Sequence, residues 1–594
     1  MLMEVIMTYH LEQRRREHPR PQFIRENWQS LDGSWFFCFD DEAQGISKNW
    51  QNGLQQSQEI LVPFTYETKR SGIADSRHHS VVWYEKDFEV TTLQTTRIIF
   101  EGVDYACQIW LNGEHLGLHQ GAYERFELPL TSLKKGQNKL VVRVEDSMAC
   151  EQPRGKQRWQ KDNFGCWYVQ TTGIWKTVWL QTYQSPSAIE NVKITPDIDR
   201  DKVIFEPSFT KNIPEGILEI QLSFDGKEIN TYQGSFHHQL VPIEMDTRLQ
   251  EDAHWGTREW HPEHPDLYDV TFKLYDNSHQ LLDEVTSYFG MRKIEVKDGQ
   301  ILLNNRQLYQ RLVLDQGYWP DSGLTPPSVD ALELDIDQTK ELGYNGLRKH
   351  QKIEDERFLY LCDKKGMLVW SEMAATYDFN DRTIDNFVAE WKKVVQQNYN
   401  HPSIITWVPF NESWGIRDIQ HNRKQQLFTE SIYYLTKTLD STRPVVTNDG
   451  WEHTISDIVT LHDYEEFGEV LKSRYETKET LLTNGQRYNP DRYMFADNYE
   501  YQGQPILISE FGGIAFSNTK EEQWGYGHKV KNEEEFLKRF SAIHEAIQSA
   551  PYIVGYCYTQ LTDVEQEVNG LLGVDREYKV DKDRIRTINE QRKQ

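Results

Sequence analysis

Through about residue 183 the chain alternates apolar and polar positions in short runs separated by polar turns. Ser34-Trp35-Phe36-Phe37-Cys38-Phe39, Val81-Val82-Trp83-Tyr84, Arg97-Ile98-Ile99-Phe100 and Lys139-Leu140-Val141-Val142-Arg143-Val144 are such runs. Asn112-Gly113, set between Gln108-Ile109-Trp110-Leu111 and Glu114-His115-Leu116-Gly117, signals a tight hairpin because both residues tolerate positive φ. The pattern predicts a jelly-roll β-sandwich over 1–183. A second alternating series over 184–293 includes Ile217–Phe224 ahead of Asp225-Gly226, and Tyr268–Tyr275. It predicts an immunoglobulin-like β-sandwich. Trp260-His261-Pro262-Glu263-His264-Pro265 reads as a loop, since proline donates nothing to a ladder.

Over 294–594 the rhythm changes to strand–helix alternation. Apolar strands fall near 308–314, 345–348, 367–370, 403–410, 444–448, 458–462, 505–509 and 553–558. Amphipathic helices such as 330–342, 355–365, 384–399 and 533–549 separate many of them. About eight strands in about 300 residues predict a C-terminal (β/α)8 TIM barrel, whose catalytic groups lie at strand C-terminal ends.

Two of these strands end in glutamate. Ser403–Phe410 runs into Asn411-Glu412 near the fourth strand, and Pro505–Ser509 runs into Glu510-Phe511-Gly512-Gly513 near the seventh. Paired carboxylates at strand ends are what acid/base-plus-nucleophile cleavage of a glycosidic bond requires. The dipeptides alone are weak signals. Asn-Glu recurs at 532–533 and 589–590, and Ser-Glu occurs at 371–372 as well as 509–510, each time after an apolar strand. Glu372 therefore stands as a rival, and spacing does not exclude it.

A length of 594 residues implies three or four domains. The 18 Trp, 30 Tyr and 26 Phe suit stacking on sugar rings, and equally suit β-rich cores. A net charge of −26 argues against nucleic acid or an anionic membrane as partner and disfavours polyanionic substrates. The N-terminal stretch has an early acid, no long apolar run and Arg14-Arg15-Arg16 after it, the wrong order for a secretory signal. No apolar run approaches a membrane span. The six cysteines are scattered without close CxxC pairs, so neither a zinc site nor a disulfide framework is expected, and a cytoplasmic address is. Acidic and histidine residues show no ligand spacing, so no metal and no cofactor are expected.

Sandwich, immunoglobulin-like domain and barrel, in that order and with these motifs, resemble glycoside hydrolase family 2, which contains β-galactosidases, β-glucuronidases and β-mannosidases. Trp407–Trp414 is similar to the family's acid/base strand, Ile508–Gly512 to its nucleophile strand, and Trp260–Tyr268 to a segment of its middle domain. The resemblance implies that Glu412 is the general acid/base and Glu510 the nucleophile of a retaining exo-β-glycosidase. It implies that Asn411 binds the sugar 2-hydroxyl, that Tyr464 contacts the nucleophile, and that Arg348 orients it. His350, Asp315 and Trp524 join these as candidate substrate-binding residues. Lys349-His350-Gln351-Lys352 departs from the family's usual small residues after that arginine.

The first sandwich of the family sends a loop into the active site with an aspartate for sugar hydroxyls. Anchored on Gly173-Ile174-Trp175, that position here is Trp167, so the polar contact is missing unless Asp162 or Gln170 replaces it. The glucuronidase Asn-x-Lys that grips a carboxylate is also absent from Glu567-Val568-Asn569-Gly570-Leu571. The expected substrate is a small neutral β-glycoside, galactoside first, and the resemblance allows a homo-oligomer. Two alternatives remain: a carbohydrate-binding protein without catalysis, and a transglycosylase whose acceptor site is built around Trp167.

Overall fold

The computed structural model describes residues 2–210, 213, 215–237, 241–249, 256–483, 492–517 and 523–591, with backbone alone for 2–9. Its first sandwich packs a six-stranded antiparallel sheet against a four-stranded one. Alternate residues of the paired strands Val81–Val90 and Gly136–Glu145 meet there, with Val82, Tyr84, Leu140, Val142 and Val144 in one buried cluster. Asn112 (φ 53°) and Gly113 (φ 84°) make the expected hairpin turn. The second sandwich has sheets of three and four strands around Phe205, Leu218, Ile220, Val270 and Phe272.

Two local expectations are corrected. The N-terminal stretch, read as part of the β region, contains a helix, Leu2–Glu17. It is tied down by ions: Arg15 bonds Asp269 at 2.7 Å, Glu12 pairs with Lys364 at 2.9 Å, and Arg16 pairs with Asp330 and Glu333. Long-range charge contacts of this kind leave no local sequence signature. Trp260–Pro265 is a small hairpin, Trp260–His261 against His264–Pro265, because Pro262 falls in its turn and Pro265 at its end. Trp260 is fully buried, and its indole donates to the Asp363 carbonyl at 2.7 Å, joining this sandwich to the barrel.

The barrel strands are β1 (Gln310–Asp315), β2 (Gly346–Lys349), β3 (Leu368–Glu372), β4 (Ile404–Val408), β5 (Asn448–Asp449), β6 (Val459–Asp463), β7 (Ile506–Gly512) and β8 (Ile553–Thr559). Seven of them form one parallel sheet in the order β4-β3-β2-β1-β8-β7-β6. The predicted 403–410 strand is split at Pro409, which lacks an N–H, and resumes as Phe410–Asn411. That piece pairs in parallel with the short β5, and a bridge from Trp407 to Val445 helps close the wall. Helices Val329–Glu341, Glu356–Lys365, Asp381–Asn398 and Glu533–Gln548 lie close to the predicted spans, each N-capped by the side chain of Ser328, Asp355, Asn380 or Asn532.

Alternation decides what each strand residue faces. Leu312, Leu314, Leu368, Trp370, Ile405, Leu507 and Cys557 share the core inside the barrel, while Val313, Leu347 and Val369 join the core against the helices. The inward phase of β2 therefore contains Arg348, and the outward phase of β1 and β2 contains Asp315 and Lys349, which are register partners.

Candidate active site

Arg348 is the hub at the C-terminal end of the barrel. It is fully buried, donates to Glu510 Oε1 at 2.6 Å and to Asn411 Oδ1 at 2.7 Å, and pairs with Asp449 at 2.8 Å and Glu372 at 2.5 Å. Guanidinium geometry, with donors fixed in a planar fork, lets one side chain position several acceptors at once. Asn411 thus spends its carbonyl on Arg348, while its buried Nδ2 has no partner among the described residues.

Glu412 is held by unusual backbone. Both Glu412 (φ 52°) and Ser413 (φ 57°) are left-handed, a conformation that costs on the order of 1–3 kcal/mol per non-glycine residue. Strand β5 and its turn pin it there. Glu412 N donates to the Asp449 carbonyl at 2.9 Å, Ser413 N to Asn448 Oδ1 at 3.0 Å, and Ser413 Oγ to Glu452 at 2.7 Å. The result turns the Glu412 carboxylate toward the barrel axis with 18% of its side chain exposed, against 5% for Glu510.

His462 links the two glutamates. Its Nδ1 lies 2.9 Å from Glu412 Oε1 and 3.6 Å from Glu510 Oε2, and its Nε2 lies 3.3 Å from Asp449 Oδ2. One ligand atom from each of Glu412, His462 and Glu510 falls within 4.8 Å of the others. Burial opposes charge on His462, yet Glu510, Asp449 and Glu412 raise its pKa to about 10. The grouping has donors a cation accepts, but a metal ligand must be a neutral imidazole, so an ion here has to displace that proton.

Opposing effects set the carboxylates. Burial pushes Glu412 up, but the His462 bond and charge, backed by Lys156 and Arg348, hold it below its ordinary value. Burial also raises Glu510, and His462 and Arg348 outweigh it to hold that group low as well. Tyr464 donates to Glu510 Oε2, adding to the stabilisation of the anion. Asp449 is likewise held low by Arg348 and His462 against its burial.

Glu372 sits in the same cluster in a different state. It is fully buried, accepts from Gln351 N at 3.0 Å, and burial with Asp449 and Glu510 nearby raises it to about 8 in spite of Arg348. His350 Nδ1 lies 2.9 Å from Glu372, and burial beside Lys156 and Arg348 keeps the ring neutral. Both stand behind the hub.

Asp315 does not reach this cluster. It is 1% exposed, and its carboxylate takes Lys349 Nζ at 2.7 Å and Gly317 N at 2.8 Å. The Lys-His-Gln-Lys run is explained by the same arrangement: Glu354 pairs with Lys349 at 2.9 Å and Lys352 at 2.7 Å.

The long connection between strands Gly136–Glu145 and Gly173–Ile174 of the first sandwich lies over the barrel mouth. Gly165 O accepts from Trp524 Nε1 at 2.9 Å and Gln566 Nε2 at 2.8 Å, which is where Trp524 is spent. Tyr168 donates to Glu567, and Gln170 is buried against Arg158 at 2.8 Å. Asp162 is exposed. Trp167 packs on Trp414 and Tyr377 with centroids 5.2 and 5.6 Å apart. Lys156, buried beside Cys166 Sγ at 3.3 Å, has Glu567 and Glu412 among the charges acting on it.

Sequence reading missed His462, Asp449 and Lys156. His462 follows a register shift after Leu461 in β6, so alternation along that strand gave no signal for it. Asp449 closes a two-residue strand too short to announce itself, and Lys156 lies in a connection with no periodicity.

The comparisons agree on the family. Residues 28–184 match "Glycosyl hydrolases family 2, sugar binding domain", 187–292 match "Glycosyl hydrolases family 2", and 294–572 match "Glycosyl hydrolases family 2, TIM barrel domain". A β-galactosidase of Lactococcus lactis is 27% identical over 457 residues, 70% of this chain and 42% of that protein. A putative β-glucuronidase of Formosa agariphila is 25% identical over 414 residues, 66% of this chain and 47% of that protein. The chain thus spans about half the length of these relatives. A solved β-glucuronidase of Ruminococcus gnavus, in complex with D-glucuronic acid, superposes with TM-score 0.77 at 17% identity, covering 96% of this chain and 98% of that one. A β-galacturonidase of Eisenbergiella tayi does so with TM-score 0.74 at 19% identity, covering 96% and 97%. Those two likenesses are of fold. With all three family regions matched in order, this chain belongs to glycosyl hydrolase family 2.

Proposed function

We propose that the chain is a retaining exo-β-glycosidase, built as domains over 1–183, 184–293 and 294–594, with Glu510 as nucleophile and Glu412 as acid/base. The observation that carries this reading is that one carboxylate oxygen of each glutamate lies within 4.8 Å of one of the other, around His462. Retaining enzymes hold their carboxyls about 5–5.5 Å apart, whereas inverting ones leave room for a water at about 6.5–9.5 Å.

In the first step Glu510, kept anionic by Arg348 and Tyr464, attacks the anomeric carbon as the glycosidic oxygen leaves. Glu412 delivers the proton. In the free site Glu412 is anionic and its proton stands on His462, 2.9 Å away, so the pair delivers one proton as a unit. Glu412 then takes a proton from water, which cleaves the glycosyl ester with net retention. Asn411 Nδ2 donates to the sugar 2-hydroxyl.

A neutral β-glycoside, galactoside first, suits the charge arrangement. Arg348 and His462 are matched by Asp449, Glu510 and Glu412, so neither of these two cations is left over for a uronate carboxylate. A soluble cytoplasmic setting suits this substrate; among the described residues no helix is long and apolar enough to cross a membrane.

The test is hydrolysis of a panel of nitrophenyl β-glycosides, uronides included, by wild type and Glu510→Gln. Unchanged turnover in the variant sinks the assignment, and an inverted first-formed anomer by NMR sinks the double displacement. A uronide as the sole substrate overturns the neutral-sugar reading alone.

A further inference from the structure

We propose that Trp159, Phe164, Trp167, Tyr377 and Trp414 form a leaving-group site for a flat aromatic aglycone. The proposal rests on Glu412 being the acid. An acid that protonates the bridging oxygen must touch it, so the surface leading outward from Glu412, away from Glu510, meets the leaving group. Trp414 is two residues on from Glu412 in the same turn, with Trp414 N bonded to Asn411 O at 3.0 Å. On the Glu510 side, where the glycosyl unit lies, Tyr464 is stacked on Tyr526 with centroids 3.4 Å apart.

The rings make one continuous wall from two parts of the chain. Trp159 lies 4.1 Å from Tyr377 and 4.9 Å from Trp167, Phe164 stacks on Trp167 at 4.9 Å, and Trp414 reaches Tyr377 at 5.5 Å, centroid to centroid. All but Tyr377 remain partly exposed. Contiguous apolar surface left accessible in this way is what a binding groove presents.

The chemistry of the wall selects its occupant. A second sugar needs side chains that exchange hydrogen bonds with its hydroxyls. Here the Tyr377 hydroxyl is spent on the Gly155 carbonyl at 2.6 Å, and the charge at the rim, Arg417, lies over the Trp414 ring at 5.0 Å. Ring faces and edges remain, with the Trp167 indole N–H a donor that has no hydrogen-bond partner among the described residues, and the flat faces suit an aryl group by stacking. The wall is also preformed. Arg154 N and Gly155 N both bond Ala375 O, at 2.8 and 3.0 Å, and Gly165 O is held from across the mouth by Trp524 and Gln566. Little ordering is left for the ligand to supply.

Calorimetry with S-phenyl and S-methyl 1-thio-β-glycosides, in the sugar configuration found by the nitrophenyl panel, separates ring binding from leaving-group reactivity. The phenyl compound is expected to bind about tenfold tighter. That ratio falls below about twofold in Trp414→Ala and in Trp159→Ala, which lies off the Glu412 turn, while S-methyl affinity moves little. Free 4-nitrophenol, titrated alone, binds wild type and Glu510→Gln alike and is lost in both tryptophan variants, whichever sugar is recognised. Equal binding of the two thioglycosides to wild type, a ratio that survives both substitutions, or a preference for a thio-linked disaccharide over S-phenyl overturns the proposal. Hydrolysis that persists in Glu510→Gln overturns the catalytic reading instead and leaves the calorimetric ratio standing.

Discussion

Adjacent residues of one strand, Arg348 and Lys349, organise two buried ionic clusters that behave in opposite ways. Around Lys349 every charge is paired: Lys349 holds Asp315 and Glu354, Glu354 also holds Lys352, and Lys352 spends further donors on the carbonyls of Gly317 and Leu324 at 2.8 and 2.7 Å. Around Arg348 the set is unfinished. Asn411 Nδ2 has no partner among the described residues, and Glu412 opens to the barrel mouth. Burial and charge are shared by both clusters, so neither feature identifies a site. What distinguishes the Arg348 side is capacity left over for something not yet bound.

The sharpest break of that comparison is Glu510→Gln. Turnover of the best nitrophenyl glycoside is expected to drop by at least about 10⁴-fold with the thermal midpoint near wild type. The matching change on the other side, Lys349→Met, is expected to spare turnover per folded molecule and cost about 3–5 kcal/mol in urea unfolding, because Asp315 and Glu354 keep charges with fewer partners. Reversal of either pattern shows that the clusters are not separate in function.

Glu412→Gln and Glu372→Gln sharpen it further. The first removes the proton carrier and is expected to cost about 10²–10⁴-fold in kcat. The second imitates the protonated acid that Glu372 is near neutral pH and is expected to change kcat by a few-fold at most. The Glu372 carboxyl keeps its proton to about 8 when folded, against an ordinary value of 4.5. The unfolded chain loses that proton first, so this group lowers stability as pH rises from 4.5 to about 8. Unfolding midpoints of Glu372→Gln across that range should show a shallower decline.

His462 acts in the other window. Its folded pKa of about 10 exceeds the ordinary 6.5, so its contribution is complete below 6.5 and is lost as pH rises through about 10. His462→Asn is expected to flatten the alkaline fall in stability and to move the alkaline limb of kcat to lower pH. The smallest effect is expected for Asp315→Asn: KM within about twofold of wild type and a loss of about 1–3 kcal/mol from one weakened buried pair.

The barrel was legible because strand–helix alternation replaces the short alternating runs of the two sandwiches, and Glu412 and Glu510 were legible as candidates because each ends a buried strand within a motif that resembles the family's. Which side a strand-end residue faces was harder to read. Asp315 entered the candidate set because it ends β1, but Leu312 and Leu314 set the inward phase of that strand and place Asp315 outside it. Phase also separates Arg348 from Lys349. At His462 and Glu510 strict alternation fails, since register shifts follow Leu461 and Ile508, and such bulges re-aim side chains without a mark in sequence. Glu372 could be set apart from Glu510 only by its surroundings.

The crossing of the first sandwich over the barrel mouth has a consequence for descent. The proposed catalytic pair sits on or at the end of buried barrel strands, whereas Lys156, Trp159, Phe164 and Trp167 belong to a connection outside any strand or helix. Trp159, Phe164 and Trp167 belong to neither core cluster, so on the proposed reading a lineage can exchange one leaving group for another there without repacking a barrel strand.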